Sequence, residues 1–121
     1  MQGMATQKAM NWHCSVEATL GVLGGKYKAI IVWHLKEAAV MRFSEIQKAI
    51  PQATAKMLSQ QLRELEADGI VNRRLFPVIP PKTEYSLTQL GQSIVPVVDA
   101  MSDWGHLYFK HIGLPAPCPE D

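Results

Sequence analysis

Apolar residues recur along this chain at helical spacing in five stretches, interrupted once by two short strand-like runs that flank a proline cluster. Val16, Leu20 and Leu23 stand at i, i+4 and i+7, which predicts a short helix opening just after Cys14 and stopping at Gly24-Gly25. A second helix is predicted from about Lys26 to Glu37, burying Tyr27, Ile30, Ile31 and either His34 or Leu35. Ala38 to Met41 is apolar and short, a loop or a minimal strand. Phe43, Ile46 and Ile50 share one side of a third helix. Pro51 must end it, because proline lacks the amide donor and its ring clashes with the preceding turn. Thr54 is placed to cap a longer fourth helix that runs to Asp68-Gly69.

That fourth helix carries the sharpest pattern. Leu58, Leu62 and Leu65 form its buried stripe, and nearly opposite lie Lys56, Ser59, Gln60 and Arg63. These are the cationic, hydroxyl and amide side chains that contact phosphates and base edges. The acids Glu64 and Glu66 flank the strip rather than interrupt it. Ile70 to Phe76 and Thr83 to Leu87 then read as two short strands, and Pro77 to Lys82 between them is too rich in proline for a central strand. Helix, turn, longer helix and proline-tipped hairpin, in that order, describe a winged helix-turn-helix, whose second motif helix enters the DNA major groove. The fold class expected is therefore mainly α with a small β wing, and Arg73, Arg74 and Lys82 supply the charge of that wing.

Thr88 caps a final helix expected to reach about His111, with Ile94, Val97, Val98, Met101, Trp104 and Tyr108 along one stripe and Pro96 inside it, where a bend or break is expected. So much apolar surface on a terminal helix exceeds what a compact reading head needs, and it implies a partner surface. The domain limits follow: a flexible arm over 1–13, a DNA-binding domain over 14–111 whose dimerisation helix occupies about 88–111, and a flexible tail over 112–121.

Charge alters the picture only when it is divided. The chain of 121 residues has a net charge of +1, yet Gly24 to Tyr85 holds ten Lys/Arg against six Asp/Glu while the rest holds two against five. Positive charge is thus concentrated in the reading segment. No apolar run approaches the roughly 20 residues that span a bilayer, and no basic region followed by an apolar stretch opens the chain, so a cytoplasmic protein is expected. Cys14 and Cys118 lie far apart and neither has zinc-ligand spacing. His13, His106 and His111 form no metal-binding spacing either, and Asp99 with Asp103 lacks any acid–base constellation around it. Without phosphate loops or nucleophile elbows, neither an enzyme nor a cofactor is expected.

Assembled, these residues resemble the HxlR family of bacterial transcriptional regulators, relatives of the MarR-type winged helices. The resemblance runs from about Cys14 to Trp104. It is carried by Cys14-Ser15-Val16-Glu17, Leu23-Gly24-Gly25-Lys26, Arg42-Phe43-Ser44-Glu45-Ile46, the long stretch from Lys56 to Val71, Pro80-Pro81, Glu84-Tyr85-Ser86-Leu87-Thr88 and Leu90-Gly91. It implies a homodimer paired through its terminal helices with help from the first, reading a near-palindromic site in double-stranded DNA. It also implies an effector, since several members respond to electrophiles or oxidants through a cysteine at the position of Cys14. Three departures stand out: Tyr27 where tryptophan is usual, Gln52 where glycine is common, and Ser15 in place of a frequent proline.

The expected DNA contacts are Arg42, Thr54, Lys56, Ser59, Gln60, Arg63, Arg73 and Lys82, with Gln60 and Arg63 as base readers and Arg42, Arg73 and Lys82 on phosphates. The expected dimer interface is Val16, Leu20, Ile94, Val97, Val98, Met101, Trp104 and Tyr108. Cys14, just before a helix N-terminus, stands where a thiolate is stabilised, and it is either a sensor or a small buried hydrophobe. Tyr85 is expected in the core or the wing packing. Two other readings stay open: a winged-helix module for protein contact, and a regulator switched by a small apolar effector held near Trp33, Trp104 and Tyr108.

Overall fold

The computed structural model describes residue 9 and residues 11–117. In chain order it comprises α1 (Ser15–Leu23), α2 (Lys28–Ala38), β1 (Val40–Arg42), α3 (Phe43–Ala49), α4 (Ala55–Ala67), β2 (Val71–Phe76), β3 (Lys82–Leu87) and α5 (Gln89–Ile112). The strands form one antiparallel sheet in the order β1-β3-β2. Val40 faces Ser86 in one ladder, and Val71 faces Leu87 and Phe76 faces Lys82 in the other. The remainder of the expected arm over 1–13 and Cys118 in the expected tail lie outside the described residues.

The core forms around α2. Its Ile31, Val32 and Leu35 are buried against Ile46 and Ile50 of the α3 end, Leu58, Leu62 and Leu65 of α4, Met41, Val71 and Tyr85 of the sheet, and Val98 of α5. Each leucine of the α4 stripe is almost fully buried, worth roughly 1.5–3 kcal/mol apiece. The sheet closes one end of this core, and its far half runs out into solvent as the wing.

Local chemistry explains most boundaries. The Thr54 hydroxyl accepts the Met57 amide at 3.1 Å, and α4 ends where Gly69 takes a φ of 78° that side-chain-bearing residues rarely adopt. The Thr88 hydroxyl caps α5 by accepting the Gly91 amide at 2.9 Å, and it donates back to the strand-leading carbonyls of Gly69 and Ile70. The start of α5 is thereby fixed to the turn that leads from α4 into β2.

Several sequence expectations need correction. The second helix begins at Lys28, not Lys26, because Tyr27 gives its amide to a side chain of α4 and turns into the helix as its N-cap. Leu35 rather than His34 is fully buried, and Ile30 is exposed toward a cavity instead of packed in the core. Of the two readings of Ala38 to Met41 the minimal strand holds, an edge strand over Val40–Arg42 entered through Ala39 at a φ of 68°. Pro96 does not break α5, which is continuous from Gln89 to Ile112. Both Pro96 and Gln92 are exposed, so the carbonyl that loses its partner one turn earlier meets water rather than the core. No described helix is long and apolar enough to cross a membrane.

Candidate nucleic-acid interface

Burying Leu58, Leu62 and Leu65 turns the opposite side of α4 outward, and this rotation alone decides which polar residues face solvent. Lys56, Gln60 and Arg63 are exposed and Ser59 is half-buried at the edge of the strip. Among the described residues neither Lys56 nor Arg63 has an ion-pair partner. Gln60 is differently placed: its Nε2 donates to Glu64 Oε2 at 3.2 Å. Thr54 lies exposed at the head of the same helix, its hydroxyl oxygen occupied by the cap while its proton remains available to donate. Arg42 precedes α3, its amide donating to Glu45 Oε1 at 2.8 Å and its side chain exposed.

The wing is more structured than its proline content suggests. Phe76 is sandwiched between two cations, with Arg74 and Lys82 each 4.7 Å from the ring centre. Such contacts are worth about 0.5–1 kcal/mol at exposed sites, and here they hold both charges at the base of the loop. Lys82 also lies 3.7 Å from Glu84. Strand alternation puts Phe76, Arg74 and Lys82 on one face and Arg73, opposite Tyr85, on the other. Arg74, not Arg73, therefore accompanies Lys82. Tyr85 is buried in the core. Beyond the strands the loop carries Val78 and Ile79 exposed between prolines.

The remaining expected sites divide. Val98 belongs to the protomer's own core and Ile94 packs against it, so neither offers an outer surface. Val16, Leu20, Val97, Met101, Trp104 and Tyr108 are exposed, and Trp104 stacks on Tyr108 with ring centres 5.4 Å apart. Cys14 is an exposed free thiol at the N-cap of α1. Its neighbour His13 donates its backbone amide to Glu17, so a carboxylate already occupies that helix end. Trp12 covers Gly21, laying the segment before Cys14 along α1.

An open cavity of about 560 Å³ lies between α2 and α5, lined among others by Ile30, Trp33, His34, Gln52, Met101 and Pro117. Trp33 belongs to it, but Trp104 and Tyr108, expected beside it from sequence, do not. Burial holds the His34 imidazole below its ordinary value, with Glu37 pulling it partly back. Next to it, Lys36 Nζ reaches Asp99 Oδ1 at 2.9 Å and Glu37 Oε1 at 3.1 Å, tying α2 to α5, and these hydrogen bonds raise the lysine above its usual range. No group of three metal-ligating side chains occurs among the described residues.

Sequence reasoning missed Lys28, whose aliphatic neighbours and helical position hid a buried charge. Its Nζ meets Glu64 Oε1 at 2.6 Å. It also missed Gln61, whose Oε1 accepts the Tyr27 amide at 3.0 Å. The one available signal was negative: both α4 partners lie beside the outward strip, where the wheel assigns neither core nor reading face.

A three-helix head with a capped, outward-facing basic helix and a two-stranded cationic hairpin defines a winged helix-turn-helix protein. The HxlR-like helix-turn-helix family profile matches residues 22–112, and the chain belongs to that family of transcriptional regulators. Among its relatives, an HTH-type transcriptional regulator of Methanothermobacter thermautotrophicus is 45% identical over 98 residues, covering 81% of this chain and 74% of that protein. YdeP of Bacillus subtilis, also an HTH-type transcriptional regulator, is 47% identical over 99 residues, 82% of this chain and 77% of its own. Among solved structures, the redox regulator HypR in its reduced form superposes with a TM-score of 0.77 at 44% identity, covering 83% of this chain and 98% of that one. These relatives are named as transcriptional regulators.

Proposed function

We propose that this regulator binds duplex DNA as a homodimer, inserting α4 of each protomer into successive major grooves of a near-palindromic operator. The observation that carries the reading is the outward face of α4, where Lys56 and Arg63 stand exposed beside Gln60 with no ion-pair partner among the described residues, while the leucines opposite fix the helix on the core. Arg63 and Gln60 read bases; Thr54, Ser59, Lys56 and Arg42 hold the helix against the backbone. Arg74 and Lys82, with Arg73 on the opposite face, bring the wing to the neighbouring phosphates.

Pairing through α5 is supported by its unpartnered apolar side. Met101 is 50%, Trp104 63% and Tyr108 45% exposed, and on α1 Val16 and Leu20 are 68% and 62% exposed. A lone protomer would present both apolar faces, on α5 and on α1, to water. Two copies joined there place two reading helices on one face of the duplex, about 34 Å apart for half-sites one turn from each other. The domain limits follow from the same reading, with 14–111 as the working unit and its C-terminal helix as the dimer element.

Thiol chemistry at Cys14 is the second element of the proposal. It is favoured by the exposure of that thiol on α1, beside the apolar patch, and by the similarity to HypR. Alkylation of Cys14 is expected to change operator affinity and Cys14→Ser to abolish the change; an affinity untouched by alkylation removes the switch but not the DNA reading.

The test of the main reading is binding to a duplex from the region upstream of the gene, titrated with salt, for the wild type and Arg63→Ala. Several phosphate contacts require affinity to fall steeply as salt rises. Arg63→Ala is expected to weaken discrimination by roughly 1–3 kcal/mol at one position. Salt-insensitive association, or none at low salt with an intact dimer, would point instead to a protein partner on α4.

A further inference from the structure

We infer that Lys28 is a positioning residue for DNA specificity: through Glu64 it holds the Gln60 amide in one orientation toward the groove. The inference rests on the reading of α4 as the base-contacting helix.

Lys28 is the one buried charged residue among those described, its side chain 5% exposed. A lysine ammonium is not retained in a core without a close counter-charge, because the lost hydration must be replaced. Its partner is Glu64 Oε1 at 2.6 Å. The pair is asymmetric. Lys28 is locked by the packing around its stem, whereas the Glu64 side chain is 44% exposed. The buried lysine therefore anchors one oxygen of the glutamate to the core.

Glu64 has a second oxygen, and it accepts from Gln60 Nε2 at 3.2 Å. An i,i+4 pair on a helix surface is weak when both side chains are mobile; here one end is anchored in the core. A carboxylate only accepts hydrogen bonds, so the end of the Gln60 amide that faces it must be the nitrogen. The carbonyl Oε1 and the second N–H of Gln60 are then the groups left for the groove. That acceptor and donor match adenine N6 and N7 in the major groove. Flipping the amide would exchange the two and spoil the match.

A neighbouring contact keeps the backbone in place while the side chains do this. Gln61 Oε1 accepts the Tyr27 amide at 3.0 Å and its side chain lies against Gly25. Two consecutive residues of the α1–α2 junction, Tyr27 and Lys28, thus hold the flank of α4. One sets the helix and the other sets a reading side chain on it.

The experiment selects bound duplexes from a randomised library with wild type, Gln60→Ala, Lys28→Met and Glu64→Gln, and compares base preference position by position. Lys28→Met keeps the aliphatic stem, and Glu64→Gln keeps the shape at a half-exposed site, so a folded variant is available even where the buried change is not tolerated. Gln60→Ala is expected to erase an A·T preference at one base pair of each half-site. A full bidentate contact corresponds to roughly 5- to 150-fold discrimination. Lys28→Met and Glu64→Gln are expected to relax the same base pair at least about fivefold, leaving the other positions and the salt dependence unchanged. A merely structural lysine would lower melting temperature without moving that preference. Folded Glu64→Gln and Lys28→Met proteins with full selectivity at the Gln60 position would overturn the positioning role while leaving α4 as the reader. Unaltered selectivity in Gln60→Ala would remove the assignment of Gln60 itself, and the role of Lys28 with it.

Discussion

Gly91→Ala probes the junction on which the proposed geometry turns, where α5 leaves the wing. Gly91 is buried one turn into α5, and a β-carbon there would lie 2.2 Å from the Ile70 carbonyl oxygen and 3.3 Å from Leu87 Cβ. The Ile70 carbonyl cannot retreat, since it already accepts from the Thr88 amide at 3.0 Å and the Thr88 hydroxyl at 3.2 Å. Restoring ordinary contact at about 3.4 Å requires the start of α5 to move by about 1.2 Å. The Lys36–Asp99 bridge is the next fixed point, eight residues along and so about 12 Å away at 1.5 Å per residue. The same geometry gives a tilt of about 6°, which carries Tyr108 about 1.3 Å in the opposite sense. Overpacking of this kind costs about 1–3 kcal/mol, or roughly 4–8 °C of melting temperature per kcal/mol in a domain near this size. Thermal unfolding measures the first effect and operator affinity the second, because a tilt of α5 alters the spacing of two paired reading helices. A variant as stable as wild type, with unchanged affinity, would show that α5 is not fixed against Ile70 and would refute the lever.

Three further outcomes are expected. Gly105→Ala, whose β-carbon meets nothing within 4 Å in the protomer, should stabilise an isolated chain by about 1 kcal/mol through helix propensity; a loss of dimer in sedimentation instead would place Gly105 at a close crossing of two α5 helices. Thr54→Ala removes the 3.1 Å cap at the head of α4 and should cost about 1 kcal/mol in denaturant unfolding, with no loss indicating that the cap is replaced by water. Because burial lowers His34 from its ordinary 6.5, the unfolded chain binds more protons than the folded one as the pH falls below 6.5. Stability should therefore decline through that window toward the lower folded value and be fully present above it, and His34→Gln should flatten the decline; a wild-type profile indistinguishable from that of the variant would contradict the burial effect.

The fold was legible because its elements announce themselves by period and punctuation. The α4 stripe, the Thr54 and Thr88 caps and the Gly69 stop stand where spacing alone puts them, each an instance of one local rule, and the two strands differ from their expected bounds only in that Ile70 precedes β2 and Lys82 opens β3. What spacing could not show were the long-range partners. Lys28 looked like the first polar residue of a helix, yet its burial depends on Glu64, which a residue-by-residue reading leaves on a solvated flank. Tyr27 is the core residue that spacing predicts, but nothing local reveals that its amide is claimed by Gln61 and that it precedes the helix instead of joining it. Arg73 and Arg74 are indistinguishable in composition, and only the register against β3 sorts them onto opposite faces. The apolar stripe of α5 was read as a single surface, whereas the structure divides it into Val98, which serves the protomer's core, and an outer row that no described residue covers. Pro96 was given more power to break a helix than an exposed proline has.

Hydroxyl-radical footprinting of the protein on a selected duplex joins the proposed dimer to the proposed reading helix in one trace. Two protected patches on one face of the duplex, related by a two-fold axis and about 34 Å apart, with both fading together in Trp104→Glu, are the expected result. A single protected patch that survives Trp104→Glu would contradict the paired arrangement and leave a monomeric reading head in its place.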